Sequence, residues 1–312
     1  MHMCKFFTTF VPEISGIMKK ITKAQVKLIK SLQQKKYRDE LGLFVAEGEK
    51  CVSELAKAFE LVYLIVEDGL IVPTVLQRSG LTGEVGHLTA SAIEISQMSG
   101  LRTPQGVIGV FKKPITNHQA PITNSGLVLA LDGIQDPGNL GTIIRTCDWF
   151  GVHDIVCSQD TADCYNPKVV QATMGALARV RVHYVNLPAW LQSQITNHQS
   201  QIKIYGTLLD GKDMYEVLRR TLGTSANEEH SDRRTEAGVA RQFSRVVLTN
   251  ATSLPNVIVM GNEGNGISPE VRKFVTHPIR IPSYPKDAET SESLNVSIAT
   301  AIVLAEFRRL GL

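Results

Sequence analysis

The chain has no long apolar run. Spanning a bilayer takes about 20 consecutive apolar residues, and no stretch of that kind occurs in the 312 residues. The sequence therefore reads as a soluble, cytoplasmic protein with no membrane partner. A secretory signal is missing too, since Met1 to Ile17 contain Phe6, Phe7 and Phe10 but neither a continuous apolar core nor a cleavage site. Met18, followed by Lys19-Lys20-Ile21-Thr22, looks like a natural beginning, and residues 1–17 are expected to form a disordered extension. Cysteine is scarce. Cys4, Cys51, Cys147, Cys157 and Cys164 are odd in number and include no C-x-x-C pair. That spacing fits neither a zinc site nor a disulfide framework, and it leaves reduced thiols. His87, His153, His183 and His277 are scattered without metal-ligand spacing, so no metal is expected and a metal-dependent hydrolase finds no support. The chain also carries neither a G-x-G-x-x-G fingerprint nor a Walker A loop.

Acidic residues are absent from one further stretch. Between Lys19 and Arg38 there are eight basic residues and no acidic one, although the net charge of the whole chain is only +3. The alternative to a phosphate-contacting face there is a merely solvated one. Length favours two domains, and a hydrophobic fraction of 43% is enough to fill a core in each.

Along the chain, helical spacing of Val26, Ile29 and Leu32 predicts a helix over Thr22–Tyr37. A short strand and turn at Phe44-Val-Ala-Glu-Gly48 follows. Then come a helix through Val52, Leu55 and Phe59, a strand at Leu61–Val66 and a buried strand at Gly106–Phe111. Residues 18–112 thus form a compact α/β unit. Residues 113–126, with Pro114, Pro121, Asn117 and Asn124, have the composition of a linker. Over residues 127–312 short apolar strands alternate with helices, which argues for a mostly parallel sheet covered on both faces. The strands are expected at 127–131, 154–157, 180–185, 203–206, 256–260 and 278–281, with a final helix over 295–309. Residues 224–250, rich in Ser, Thr, Glu and Arg, break the rhythm and are expected to be a flexible surface insertion. Its functional alternative is a loop using Arg233, Arg234, Arg241 and Arg245.

Open sheets of this kind bind ligands beyond the carboxyl ends of their strands, and three such ends carry chemistry. In Leu131-Asp-Gly-Ile-Gln-Asp-Pro-Gly-Asn-Leu-Gly-Thr-Ile-Ile-Arg-Thr146, a strand turns through Asp136-Pro137-Gly138 into a helix. Asn139 suits its N-cap, and Arg145 lies within the helix. Taken alone, Arg145 reads as a charge on a solvated face. In Val257-Ile-Val-Met-Gly-Asn-Glu-Gly-Asn-Gly-Ile-Ser-Pro269, a buried strand runs into Gly261, Gly264 and Gly266. Ser268-Pro269 then opens a helix at its N-cap and N1 positions. Glycines here let backbone approach a ligand closely. The third end is Ile279-Arg-Ile-Pro282, a loop, and Ser293-Leu-Asn-Val-Ser-Ile-Ala-Thr-Ala-Ile302, with Asn295 at a helix start. That helix is rich in small residues that permit close packing, internally or against another subunit.

In order, content and position the three segments resemble the three motifs of the SpoU/TrmH group of SPOUT-superfamily RNA 2′-O-methyltransferases. The likeness covers Leu127 to Leu312. It extends more loosely to Met18–Lys113, which is similar to the L30e-like RNA-binding domain that often precedes this catalytic domain; Phe44-Val-Ala-Glu-Gly48 and Thr103-Pro-Gln-Gly106 carry that part. The resemblance implies a C-terminal trefoil knot, which the usual rule against knots would not have raised. It implies a pocket for a bent S-adenosylmethionine lined by Gly261, Asn262, Ile281 and Leu294, largely through backbone. It also implies a homodimer in which each active site is completed across the interface. By motif position Asn139, Arg145, Glu263, Ser293 and Asn295 are the catalytic set. The substrate implied is structured RNA, ribosomal in preference and transfer RNA as the alternative, with the Lys-rich first helix contacting phosphates. The rivals are a catalytically silent RNA-binding relative and a base methyltransferase. Two departures stand out: the 224–250 insertion, and an extension from Tyr284 to Ser291 where family loops are short.

Overall fold

The computed structural model describes residues 18–70, 86–114, 126–197, 202–221, 256–285 and 293–312. The expected 1–17 extension, the 224–250 insertion, Cys4, most of the 113–126 linker and residues 286–291 of the third-motif extension lie outside the described residues.

The first unit opens with β1 (Lys19–Lys20), α1 (Lys23–Ser31), α2 (Lys35–Leu41), β2 (Leu43–Glu47) and α3 (Glu49–Leu55). It continues with β3 (Leu61–Glu67), β4 (Gly86–Ala90), α4 (Ala92–Met98) and β5 (Val107–Lys112). The strands form a five-stranded sheet in the order β1-β4-β3-β5-β2. Thr22 starts α1 through a capping box with Gln25, an arrangement that satisfies two otherwise orphaned amides.

The helix expected over Thr22–Tyr37 is in fact two. Gln34 is extended (φ −98°, ψ 134°), and Leu32 turns into the core with no exposure. Arg38 stabilises the break, because its Nη1 donates to the freed carbonyls of Leu32 and Gln33, both at 2.9 Å. Its Nε and Nη2 donate to Asp163 Oδ2 of the second unit, at 3.0 and 2.7 Å. Arg38 is only 1% exposed, so it leaves the basic run that is free to meet a polyanion. Removing one partner of a buried ion pair strands the other charge. Arg38→Met is therefore expected to lower the unfolding free energy by about 3–5 kcal/mol in urea titration, with Arg38→Met/Asp163→Asn losing less.

The second unit runs β6 (Leu127–Asp132), α5 (Pro137–Trp149), β7 (Asp154–Ser158), α6 (Pro167–Thr173), β8 (Arg181–Val185) and α7 (Leu187–Asn197). After these come β9 (Lys203–Asp213), α8 (Met214–Thr221), β10 (Asn256–Gly261), α9 (Pro269–Arg272), β11 (His277–Arg280) and α10 (Val296–Arg309). The sheet order is β11-β9-β10-β6-β7-β8, and each of these neighbouring pairs is parallel. Alternation along β6 explains the two-faced burial. Leu127, Leu129 and Leu131 pack with Ile143, Ile144 and Phe307 from α5 and α10. Val128 and Ala130 pack with Leu187, Leu191 and Val271 from α7 and α9. The strand β9 is longer than the expected 203–206, and its register against β11 shifts between Pro278 and Ile279. The knot implied by the resemblance depends on the segment joining β11 to α10, which includes residues outside those described.

Aromatic packing joins the two units. Tyr165 lies 4.9 Å from Phe44, whose ring stacks at 5.4 Å on Phe111. The four described thiols are buried, and burial pushes Cys51 up to about 11 and Cys164 up to about 12. Thiols held protonated in this way are poor nucleophiles at neutral pH.

Candidate active site

The turns after β6 and β10 lie side by side, because these strands pair in register from Asn256 with Leu127 to Gly261 with Asp132. Side chains and backbone then lock the two turns. Asp132 Oδ2 accepts from the amide of Ser268 at 2.7 Å, and Ser268 caps α9 as its sequence position implies. Gly133, at φ +73°, donates its amide to Ser158 Oγ at 2.8 Å. Its carbonyl accepts from Asn262 Nδ2 at 2.6 Å.

Asp136, not Asn139, caps α5. The Asp136 side chain accepts from the Asn139 amide at 2.7 Å, and Pro137 occupies N1. Proline has no amide hydrogen to satisfy and a φ already suited to the first turn, so the helix begins there and not three residues later. Asn139 falls inside the first turn, and its side chain is released for lateral contacts. It donates through Nδ2 to Glu263 Oε1 at 3.1 Å and accepts at Oδ1 from Asn295 Nδ2 at 2.9 Å. Asn295 in turn caps α10, its Oδ1 accepting from the Ser297 amide at 2.9 Å and the Ser297 hydroxyl at 2.6 Å. A chain Glu263–Asn139–Asn295–Ser297 therefore ties the three motif turns together at the carboxyl ends of the strands.

The turn after β10 is closed on itself. Asn262 and Gly266 exchange backbone hydrogen bonds, both at 2.9 Å. Asn262 Oδ1 accepts from the amides of Gly264 and Asn265, at 2.9 and 3.0 Å. The glycine at 261 is explained by this closure. A Cβ there would lie 2.2 Å from Gly266 C and 2.3 Å from Ile267 N, so its smallness admits the backbone of its own turn.

The remaining residues of the expected set are placed as follows. Ile281 follows β11 at the same end and packs, partly buried, against the main core. Ser293 and Leu294 precede Asn295 and are exposed, Leu294 at 48%. Arg145 does not join the Asn139 network. It is exposed on α5, and it makes no hydrogen bond or ion pair among the described residues. Gly138, Thr142, Arg145 and Trp149 form one exposed stripe at helical spacing, and Trp149 is 86% exposed. Arg145 thus occupies a solvated face of α5, while its neighbours Ile144 and Cys147 face the core.

One part of this region lies beyond the expected strand. Beyond its expected end, β9 carries Thr207 and Leu209 into the same region. Thr207 Oγ1 donates to Val259 O at 3.2 Å, and Arg280 Nη1 donates to Leu209 O at 3.4 Å. Leu209 itself is 72% exposed. Gly206 and Gly211, which bracket the segment, are the signal in the sequence that marked it. The ends of three adjacent strands thus offer a ligand backbone groups and exposed aliphatic side chains. Among the described residues no group of His, Cys, Asp and Glu is placed to hold a metal ion, and no helix is long and apolar enough to cross a membrane.

Comparison with known proteins places this geometry. The model of the SpoU rRNA Methylase family matches residues 126–305, and that of the MRM3-like substrate binding domain matches residues 23–109. The chain is 28% identical to the 23S rRNA (guanosine(2553)-2′-O)-methyltransferase RlmP of Bacillus subtilis, over 93% of this chain and 100% of that protein. It is 26% identical to human mitochondrial rRNA methyltransferase 3, over 89% of this chain and 70% of that one. Among solved structures, the AdoMet-bound rRNA methyltransferase from Sinorhizobium meliloti superposes with a TM-score of 0.70 at 29% identity. That match covers 93% of this chain and 96% of the other.

Proposed function

The chain belongs to the SpoU rRNA methylase family, and from that premise we propose that it methylates a ribose 2′-hydroxyl of ribosomal RNA with S-adenosylmethionine as donor. The observation that carries this reading is the hydrogen-bonded chain Glu263–Asn139–Asn295, which gathers the three motif turns at one end of the parallel sheet. The lining suits S-adenosylmethionine. Leu209, Leu294 and Ile281 offer aliphatic surface to a flat heterocycle, and the open side of Gly266, with nothing among the described residues within 4 Å of a Cβ there, leaves backbone accessible. The backbone around Gly261, Asn262, Ile281 and Leu294 would hold the cofactor, with the Asn262 side chain shaping the turn from behind.

When bound, S-adenosylmethionine supplies an activated methyl group, so the protein's task is to position the ribose and ease loss of its proton. Asn139 and Asn295 orient the substrate side of the pocket, Glu263 holds the Asn139 amide, and Ser293 supplies a hydroxyl contact. Arg145 binds a substrate phosphate and stabilises the developing alkoxide. A guanidinium stays protonated in proteins, which makes it an electrostatic partner and not a base.

The active protein is a homodimer in the cytoplasm, each site completed across the interface. Supporting this are the exposed Arg145–Trp149 stripe and a second stripe on α10, Ile298, Ala301, Ile302 and Ala305, at helical spacing and less than fully buried. Residues 18–112 act as the substrate-binding domain and 127–312 as the methyltransferase domain. The test is to incubate the purified chain and labelled S-adenosylmethionine with ribosomal RNA from cells lacking it, then digest to nucleosides. A 2′-O-methylnucleoside at one ribosomal position is expected. A methylated base, methylation of transfer RNA alone, or no transfer would overturn the proposal.

A further inference from the structure

Away from the methyl-transfer turns, a cavity of 380 Å³ opens between β9, β11 and α8. It runs along the β9–β11 edge from Lys203 and His277, which begin these strands, to Lys212 near the end of β9, with Thr221 at the end of α8. The register shift between β9 and β11 brings Lys212 beside Ile279 and so into the same wall. The charge is one-sided: Lys203, Lys212 and Arg220 line the cavity with His277, and among the described residues none that lines it is acidic. Neither lysine side chain makes a hydrogen bond or ion pair among the described residues. Among the described residues Arg220 has only a loose partner in Glu216, at 3.8 Å.

The floor is apolar and hydroxyl-bearing. Val217 and Pro278 supply aliphatic surface, and Thr221 and Thr276 supply hydroxyls. Beneath it lies Tyr205, whose ring is 4.9 Å from that of His277. Tyr205 is fully buried, and its hydroxyl lies beside the Thr221 side chain without a hydrogen bond of full geometry among the described residues. Folding places buried polar groups against partners almost without exception. Unpaired cations grouped in a concavity are likewise uncommon without an anion to meet them, since they repel one another. Burial and the nearby Lys203 hold the His277 imidazole below its ordinary pKa, which leaves it neutral at neutral pH.

We propose that this cavity is a second RNA contact, binding a backbone phosphate between Lys203 and Lys212 with the adjoining ribose against Val217 and Pro278. It is separate from the turns that carry methyl transfer, and it rests on the proposed function only in taking RNA as the ligand. Such a contact supplies affinity and register without reading sequence. Removing it raises KM and leaves kcat alone.

The experiment uses the full chain carrying Lys203→Gln/Lys212→Gln. RNA binding is measured by filter retention from about 50 to 200 mM salt, alongside methylation kinetics. The expected result is a KM for RNA raised about 5–10-fold and kcat within about twofold. The slope of log affinity against log salt should shrink by about 1, the change for one lost phosphate contact. Lys57→Gln/Lys112→Gln, whose lysines already pair with Glu54 and Glu60, is the control and should change the slope less. Unchanged KM and slope, or equal losses in the control, overturn the proposal. So does weakened binding of inorganic phosphate with RNA affinity intact. A wild-type chain that binds RNA but transfers no methyl group would refute the proposed reaction and leave this binding test standing.

Discussion

Arg145→Ala is expected to lower kcat about 10²–10³-fold, the usual cost of removing one preorganised donor from a developing oxyanion, while the protein folds and binds S-adenosylmethionine normally. The physical basis is that Arg145 is exposed on α5 and its side chain makes no hydrogen bond or ion pair among the described residues. Its neighbours on the exposed stripe are Gly138, Thr142 and Trp149, and the helix core is built from Leu140, Ile143, Ile144 and Cys147. A truncated side chain leaves no cavity and no stranded partner, so unfolding free energy should change within about 0.5 kcal/mol. Arg145→Lys keeps the charge and loses the planar fork, and it should recover only part of the rate. Steady-state kinetics on the modified ribosomal RNA, with circular dichroism and calorimetric titration of the cofactor, separate these outcomes. Full turnover in Arg145→Ala would sink the role assigned to this residue.

Gly261→Ala is expected to do the opposite, destroying the pocket from within. The new Cβ would meet Gly266 C at 2.2 Å, Ile267 N at 2.3 Å and Gly266 O at 2.6 Å. These are backbone atoms at the far side of the same turn, and they cannot swing aside as a flexible side chain would. The Asn262–Gly266 pairing must open, and with it the anchoring of Asn262 to Gly133. A loss of about 1–3 kcal/mol or more, typical of overpacking, should accompany it. In calorimetric titration, affinity for S-adenosylmethionine is expected to fall at least about 10-fold, or about 1.4 kcal/mol. Gly264→Ala is the matched control, because its nearest neighbour is Asn262 Oδ1 at an ordinary 3.6 Å. Equal affinities in wild type and Gly261→Ala would show that the turn does not shape the cofactor site.

The two variants together examine the shared-site proposal. If Arg145 of one protomer serves the pocket of its partner, a heterodimer of Arg145→Ala with Gly261→Ala contains one site with both residues intact. Mixing two inactive proteins would then restore up to about half of wild-type activity per dimer, whereas sites built within a single protomer would stay silent.

Much of this protein was determined by its sequence alone, because the responsible signals are local. Alternating apolar runs and helical spacing marked the parallel sheet and most elements of both units. Ser268-Pro269 marked the start of α9, and the cap at Asn295 marked that of α10. The order of three Asn- and Gly-bearing turns marked the family. Local signals also misled where two residues competed for one position. Asn139 is as good a cap as Asp136 in isolation, and the proline between them decided the matter.

Tertiary structure decided what spacing along the chain does not encode. Asn139 meets Glu263 across 124 residues and Asn295 across 156, and only the pairing of β6 with β10 and the return of α10 bring them together. Arg38 looked like one more cation in a basic run until folding buried it against Asp163, 125 residues away. Gly261 looked like an opening for a ligand and turned out to admit its own backbone. In each case residue type sets which interactions a side chain can make. Which of them it does make is set by the neighbours that burial forces on it, since a polar group removed from water must take whatever partner the fold supplies.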